Sequence, residues 1–169
     1  MKSFTTENIR NLAVIGHGDA GKTQLVSSLL HVAGSGQHRW GKVDEGTTIT
    51  DYEEDSIERK VSLNNNFAHI EYQDTKINFI DTPGYAAFVS HARPALRVAD
   101  CALVVVDGVH GIEVQTEKTW ALAGEYGLCR GIVINKLDRD GRPGIELLDD
   151  IEKVLRISCV PMTWPIGMG

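Results

Sequence analysis

The sequence holds no apolar run that could cross a membrane. The longest, Cys101 to Val106, has six residues, against the roughly 18 that a spanning helix needs. The opening Met1-Lys2-Ser3-Phe4-Thr5-Thr6-Glu7 carries no apolar h-region, so no signal peptide is read there. Cysteine is scarce, three residues with no Cys-x-x-Cys, and no His/Cys cluster has zinc-ligand spacing. Cys101, Cys129 and Cys159 are expected to be small buried hydrophobes in a reducing compartment. Positive charge is in deficit: 17 Lys+Arg stand against 23 Asp+Glu, a net charge of −6. That balance argues against holding DNA or any nucleic acid by bulk charge. Internal repeats and low-complexity tracts are also missing. What is present is a chain of 169 residues, 42% hydrophobic and 24% charged, the composition of one globular domain with a sizeable core.

Short β runs alternate with helical patterns. Leu12 to Ile15 reads as a buried strand, followed by a glycine-rich turn and a helix with Leu25, Val26, Leu29 and Leu30 on one face. Phe67 to Tyr72 and Lys76 to Ile80 read as two strands. Their link, Gln73-Asp74-Thr75, is too short for a parallel crossover, so this pair is expected to be antiparallel. A helix is expected through Phe88, Ala92, Ala95, Leu96 and Ala99, then a buried strand at Leu103 to Val106. Val114 to Tyr126 reads as a helix with Gly127 at C′. Ile132 to Ile134 is the next strand. Pro143 is expected in the first turn of a helix whose apolar face is Leu147, Leu148, Ile151, Val154 and Leu155. The order β-α-β-β-α-β-α-β-α implies an α/β fold with a mixed, mostly parallel sheet and helices on both faces. Ligands of such sheets bind beyond the carboxyl ends of the strands. Gly34 to Lys60 has no clean period and reads as a long functional segment.

Three motifs follow strand ends. Gly16-His17-Gly18-Asp19-Ala20-Gly21-Lys22-Thr23 matches G-x-x-x-x-G-K-[ST] between a strand and a helix. Its glycines let successive N–H groups point inward as an anion nest, and the helix start adds its positive end. Lys22 supplies a charge for the β- and γ-phosphates, and the Thr23 hydroxyl is suited to Mg²⁺. Gln24 is grouped with this loop as a nucleotide-binding residue. Asp81-Thr82-Pro83-Gly84 follows the next strand: Asp81 is a second carboxylate for the metal, and the Gly84 N–H can meet a γ-phosphate. Asn135-Lys136-Leu137-Asp138 supplies base selection. A carboxylate at Asp138 accepts from N1 and the 2-amino group of guanine, and adenine cannot satisfy it. Asn135 can tie this loop to the phosphate loop, and the Lys136 stem can cover the base.

In this order the motifs resemble the GTP-binding domain of the translational GTPases, elongation factor G in particular. Glu58-Arg59 and the run Asp107-Gly108-Val109-x-Gly111-x-x-x-Gln115-Thr116 are similar to that family's first switch and fourth-strand loop, and Pro165-Ile166-Gly167 to its lead into an inserted subdomain. The resemblance implies a P-loop NTPase G domain over residues 1–169. It further implies the N-terminal fragment of a larger multidomain factor, lacking the inserted subdomain, the last guanine-binding loop and the last strand, with the strand Gly131 to Asn135 left as an edge. It implies GTP/GDP and Mg²⁺ as ligands, the ribosome as partner through the parent protein, a monomeric fragment and a cytoplasmic location. The implied activity is Mg²⁺-dependent GTP hydrolysis in protein biosynthesis; the alternative is a GTP-dependent ribosome-binding switch with little or no hydrolysis. A P-loop ATPase or kinase is the further rival, against which the Asp138 motif speaks.

The chain departs from the family pattern in two of its own residues. Arg59-Lys60-Val61-Ser62-Leu63 stands where Arg-Gly-Ile-Thr-Ile is usual; Ser62 keeps the metal-binding hydroxyl and Lys60 removes a glycine. Tyr85 replaces the His that positions the attacking water, and a phenol with pKa near 10 is a poor base at neutral pH, so turnover is expected to be slow. Asp19 has two readings, a helix cap or, by resemblance, an aid to placing a monovalent cation near the phosphates. The expected catalytic set is Lys22, Gly84, Tyr85 and Asp19, and the metal set Thr23, Ser62 and Asp81. His17, His69, His91 and His110 are expected to be packing or surface residues. The acidic set Asp44, Glu45, Asp51, Glu53, Glu54, Asp55 and Glu58 reads as a solvated loop. Trp120 is expected in the core.

Overall fold

The computed structural model describes residues 3–33 and 40–166. Five strands form one sheet: β1 (Ile9–Gly16), β2 (Asn66–Tyr72), β3 (Thr75–Asp81), β4 (Cys101–Asp107) and β5 (Cys129–Asn135), in the order β2-β3-β1-β4-β5. β1 pairs parallel to β3 and β4, and β4 parallel to β5; β2 runs antiparallel to β3. The β2–β3 link is two residues, Gln73-Asp74, both at positive φ (45° and 62°), the conformation a tight hairpin turn demands.

Both faces of the central strands are covered, so their residues alternate between two cores rather than between core and solvent. Ala13, Ile15, Ala102, Val104 and Val106 pack on one side with Ala92 and Leu96 of α3 (Ala92–Val98) and Leu122 and Ala123 of α4 (Val114–Glu125). Val14, Phe79 and Val105 pack on the other with Val26 and Leu30 of α1 (Lys22–Val32). Each fully buried aliphatic side chain contributes about 1.5–3 kcal/mol of transfer free energy.

Two elements differ from the periodic reading. The segment carrying Phe88 to Ala99 is split into a 3₁₀ stretch, Ala86–His91, and the short α3, with Ala99 already extended. Pro94 falls in the first turn of α3, where a missing N–H costs nothing, and its ring disfavours helix just before it. The long segment after α1 contains its own short helix, α2 (Glu54–Arg59), closed by Lys60 at φ 55°. Gly127 takes C′ as expected: at φ 67°, its N–H donates to the Gly124 carbonyl and that of Leu128 to Ala123, the paired bonds of a Schellman ending. In α5 (Gly144–Leu155) Pro143 sits at the N-cap, one position earlier than expected; Leu147 and Ile151 are buried and Val154 is exposed.

β5 forms one margin of the sheet, with Cys129 to Gly131 exposed. The cysteines are therefore not the buried hydrophobes expected: Cys129 is exposed and Cys101 and Cys159 are half-buried, all as free thiols. Cys129 opens the marginal strand β5, Cys101 opens the internal strand β4, and Cys159 lies beyond the end of α5, so none of the three sits at the centre of a packed element. Trp120 is only partly buried, with the Arg130 guanidinium 4.0 Å from its ring centre. Among the described residues no helix is long and apolar enough to cross a membrane. Gly167 lies outside the described residues.

Candidate functional site

Four loops leave the carboxyl ends of β1, β3, β4 and β5 on the same side of the sheet, because those strands are parallel. The first begins at Gly16, at φ 137°, where an added Cβ would strike the Val105 carbonyl, so only glycine lets β1 leave alongside β4. The chain then turns through Asp19 (φ 61°) and Gly21 (φ 91°) into α1. Among the described residues no side chain caps α1, whose first N–H groups face the loop as an anion site would require. Asp19 is thus not the helix cap. Its carboxylate instead accepts a 2.6 Å hydrogen bond from the Tyr85 phenol. Lys22 is buried and its Nζ donates to the His17 carbonyl at 2.7 Å. Burial draws its pKa down to about 8, against the opposing pull of the Asp81 and Asp19 charges.

The three expected metal ligands meet at the α1 start. Thr23 Oγ1 donates to Asp81 Oδ2 at 2.7 Å and lies 3.1 Å from Ser62 Oγ. Asp81 is fully buried, and its Oδ1 has no hydrogen-bond partner among the described residues. Burial pushes it up to about 6, with the Thr23 hydrogen bond and the Lys22 charge pulling the other way. An orphaned buried carboxylate oxygen beside two hydroxyls is an all-oxygen donor set that fits a hard divalent cation such as Mg²⁺. Asp51 belongs here too. It is not part of a solvated acidic loop as expected: it is 5% exposed, and its Oδ1 accepts from Ser62 Oγ at 2.8 Å and Asn66 Nδ2 at 3.1 Å. Burial raises its pKa. Nothing periodic marks Asp51 in an acidic run; only the fold brings it under Ser62.

The second loop packs down on the first. A Cβ on Gly84 would collide with the Lys22 ammonium and stand 2.6 Å from the Gly18 backbone nitrogen, and one on Gly18 would stand 2.8 Å from the Tyr85 ring. These glycines are the clearance that lets the loops touch. Hydrogen bonding to Asp19, then burial, pushes the Tyr85 phenol up to about 12. Thr82 anchors the loop behind, its hydroxyl donating to the Val14 carbonyl at 2.7 Å.

The base loop is tied to the phosphate loop twice. Asn135 Nδ2 donates to the Ala20 carbonyl at 2.9 Å, and the Lys136 ammonium donates to the Asp19 carbonyl. Gly21 clears the way, since a Cβ there would occupy the Asn135 amide position. Asp138 is exposed, open to a ligand. His110 is exposed yet not without a partner: its Nδ1 is 3.4 Å from Asp107 Oδ2. His17 Nε2 is 3.2 Å from Glu113 Oε2, which secures the phosphate loop to the start of α4.

One cleft of about 610 Å³ joins these parts, reaching from Lys22, Thr23, Ser62 and Gly84 to Asn135 and Asp138. The wall also includes Trp40 and Gln24. The Gln24 amide is engaged on both sides, by the Gly41 carbonyl at 3.0 Å and the Val43 N–H at 3.2 Å, so it orders the segment beyond α1.

Comparison with known proteins gives one picture. Residues 7–162 match the family model of the elongation factor Tu GTP binding domain. The chain is 38% identical over 167 residues to elongation factor G of Granulibacter bethesdensis, covering 99% of this chain and 24% of that one. It is 39% identical over 163 residues to peptide chain release factor 3 of Enterococcus faecalis, covering 95% of this chain and 31% of that one. A crystal structure of a Thermus thermophilus protein superposes with a TM-score of 0.83 at 38% identity, over 87% of this chain and 22% of the other. The chain thus spans about a quarter to a third of the length of these relatives.

Proposed function

This chain belongs to the elongation factor Tu GTP-binding domain family, and from that premise we propose that it hydrolyses GTP with Mg²⁺ within a translation factor similar to elongation factor G or peptide chain release factor 3, acting on the ribosome in the cytoplasm. The observation that carries the reading is the Asn135–Ala20 hydrogen bond, which holds the guanine-selecting loop against the phosphate loop across a single cleft.

The protein's work is positioning and charge compensation. The α1 N–H groups and Lys22 receive the phosphates. Thr23, Ser62 and Asp81 would hold Mg²⁺, which supplies charge compensation on the β- and γ-phosphates when bound. The Gly84 N–H meets the terminal phosphate once the second loop rises off Lys22. Asp138 accepts from the guanine N1 and 2-amino groups. Tyr85 contributes no base, because its proton is committed to Asp19.

That last contact favours a second reading: a GTP-dependent ribosome-binding switch with little hydrolysis. Single-turnover GTP hydrolysis with and without ribosomes separates the two. Stimulated turnover supports the hydrolase; ribosome binding that depends on GTP without turnover supports the switch. Displacement of bound GTP by ATP at equal concentration would overturn both.

A further inference from the structure

We propose that Asp107 is a positioning residue for guanine-nucleotide retention: its carboxylate holds the Lys136 ammonium on the phosphate loop and so keeps the base loop and the phosphate loop together. The inference rests on the GTP-binding reading and extends it to a residue outside the three motifs.

Asp107 closes β4, and its side chain is 4% exposed. Its Oδ2 accepts from Lys136 Nζ at 2.7 Å. Its Oδ1 accepts from the Val109 N–H at 2.8 Å and the His110 N–H at 3.3 Å. Two backbone donors on one oxygen fix the plane of the carboxylate, so the other oxygen is aimed at Lys136 before any ligand arrives. Lys136 is itself held at φ 60° and delivers a second hydrogen bond to the Asp19 carbonyl. One ammonium therefore bridges the end of β4 and the phosphate loop. A backbone contact fastens the end of β4 to the base loop as well, the Gly108 N–H donating to the Asn135 carbonyl at 2.8 Å.

The consequence is specific. Without its counter-charge, Lys136 is a half-buried stem with a mobile head, and of the two ties from the base loop to the phosphate loop described above Asn135 alone stays fixed. Both nucleotides use that junction equally, because it lies away from the γ-phosphate end. Loss of Asp107 must then speed release of GDP and GTP by one common factor and leave single-turnover chemistry on bound GTP unchanged.

The test is stopped-flow release of N-methylanthraniloyl-GDP and N-methylanthraniloyl-GTP from four proteins: unsubstituted, Asp107→Asn, Lys136→Met and the double variant. Asp107→Asn is expected to accelerate release of both nucleotides at least tenfold and by the same factor. In the Lys136→Met background the same substitution is expected to add less than twofold, a non-additivity that a general structural defect does not produce. Should Asp107→Asn fail to fold, Asp107→Glu carries the test, since it keeps the charge but misplaces it; a common acceleration above threefold for both nucleotides is expected. Release at the unsubstituted rate, or effects that multiply in the double variant, would overturn the proposal. Failure of the unsubstituted protein to retain any guanine nucleotide would instead overturn the functional reading beneath it.

Discussion

The Tyr85 phenol donates a 2.6 Å hydrogen bond to the Asp19 carboxylate, joining the loop after β3 to the loop after β1. The hydrolysis proposed above would use a proton acceptor here, whereas the side chain is a donor whose pKa is pushed up to about 12. Tyr85→Phe is therefore expected to change GTP turnover at saturating substrate by less than threefold. Tyr85→His is expected to raise ribosome-stimulated turnover about tenfold or more, since a positioned base contributes roughly 10²–10⁴-fold. A tenfold loss in the Phe variant would show that the phenol takes part in the chemistry.

Lys22 gives a pH signature. Burial brings it to about 8, and bound phosphates favour its charged form. Binding therefore takes up a proton above that value. Nucleotide affinity should be level between about 6, below which Asp81 takes up a proton, and about 8, and fall by up to tenfold per unit on the alkaline side. Titration calorimetry across this range reads it directly. Lys22→Arg, which stays charged, should flatten the profile.

Asp51 organises the metal end through Ser62. Asp51→Ala should weaken Mg²⁺-dependent nucleotide binding about tenfold by freeing the Ser62 segment, because a charge-assisted hydrogen bond is worth roughly 1.5–3 kcal/mol. Asp51→Asn keeps an acceptor toward Ser62 and removes the repulsion from Asp81, so it should bind within threefold of the unsubstituted protein. Equal losses in both variants would refute the positioning role.

Two glycines at positive φ should behave differently. Gly21→Ala puts a methyl group where the Asn135 amide sits, so guanine-nucleotide affinity should drop at least tenfold. Gly127→Ala meets nothing within 4 Å among the described residues and bears the cost of its φ of 67°. It should lower stability by about 1 kcal/mol and leave nucleotide affinity alone. Paired denaturation and binding curves check this.

The sequence showed most of this architecture because its signals are local. The parallel strands carry short aliphatic runs, and each motif sits within a few residues of a strand end. The alternation of strands and helices, the hairpin and the placing of Thr23 and Asp81 at neighbouring strand ends follow from that pattern, while Ser62 is expected beside them only through the family resemblance. What it hid depends on tertiary contact. Asp51 is indistinguishable from its acidic neighbours until β2 and Ser62 enclose it. The role of Asp19 turns on a phenol 66 positions away. Exposure of Cys129 follows from its strand lying at the margin of the sheet, which composition does not reveal.

The Asn135–Ala20 bridge joins residues 115 positions apart. A nascent chain emerging amino end first will thus display a finished phosphate loop long before it owns a pocket. The guanine base has no selecting loop to meet until β5 docks, and from then on a bound nucleotide would act as a seal on the completed domain. Refolding yield should accordingly respond to GDP added late as well as to GDP present from the start.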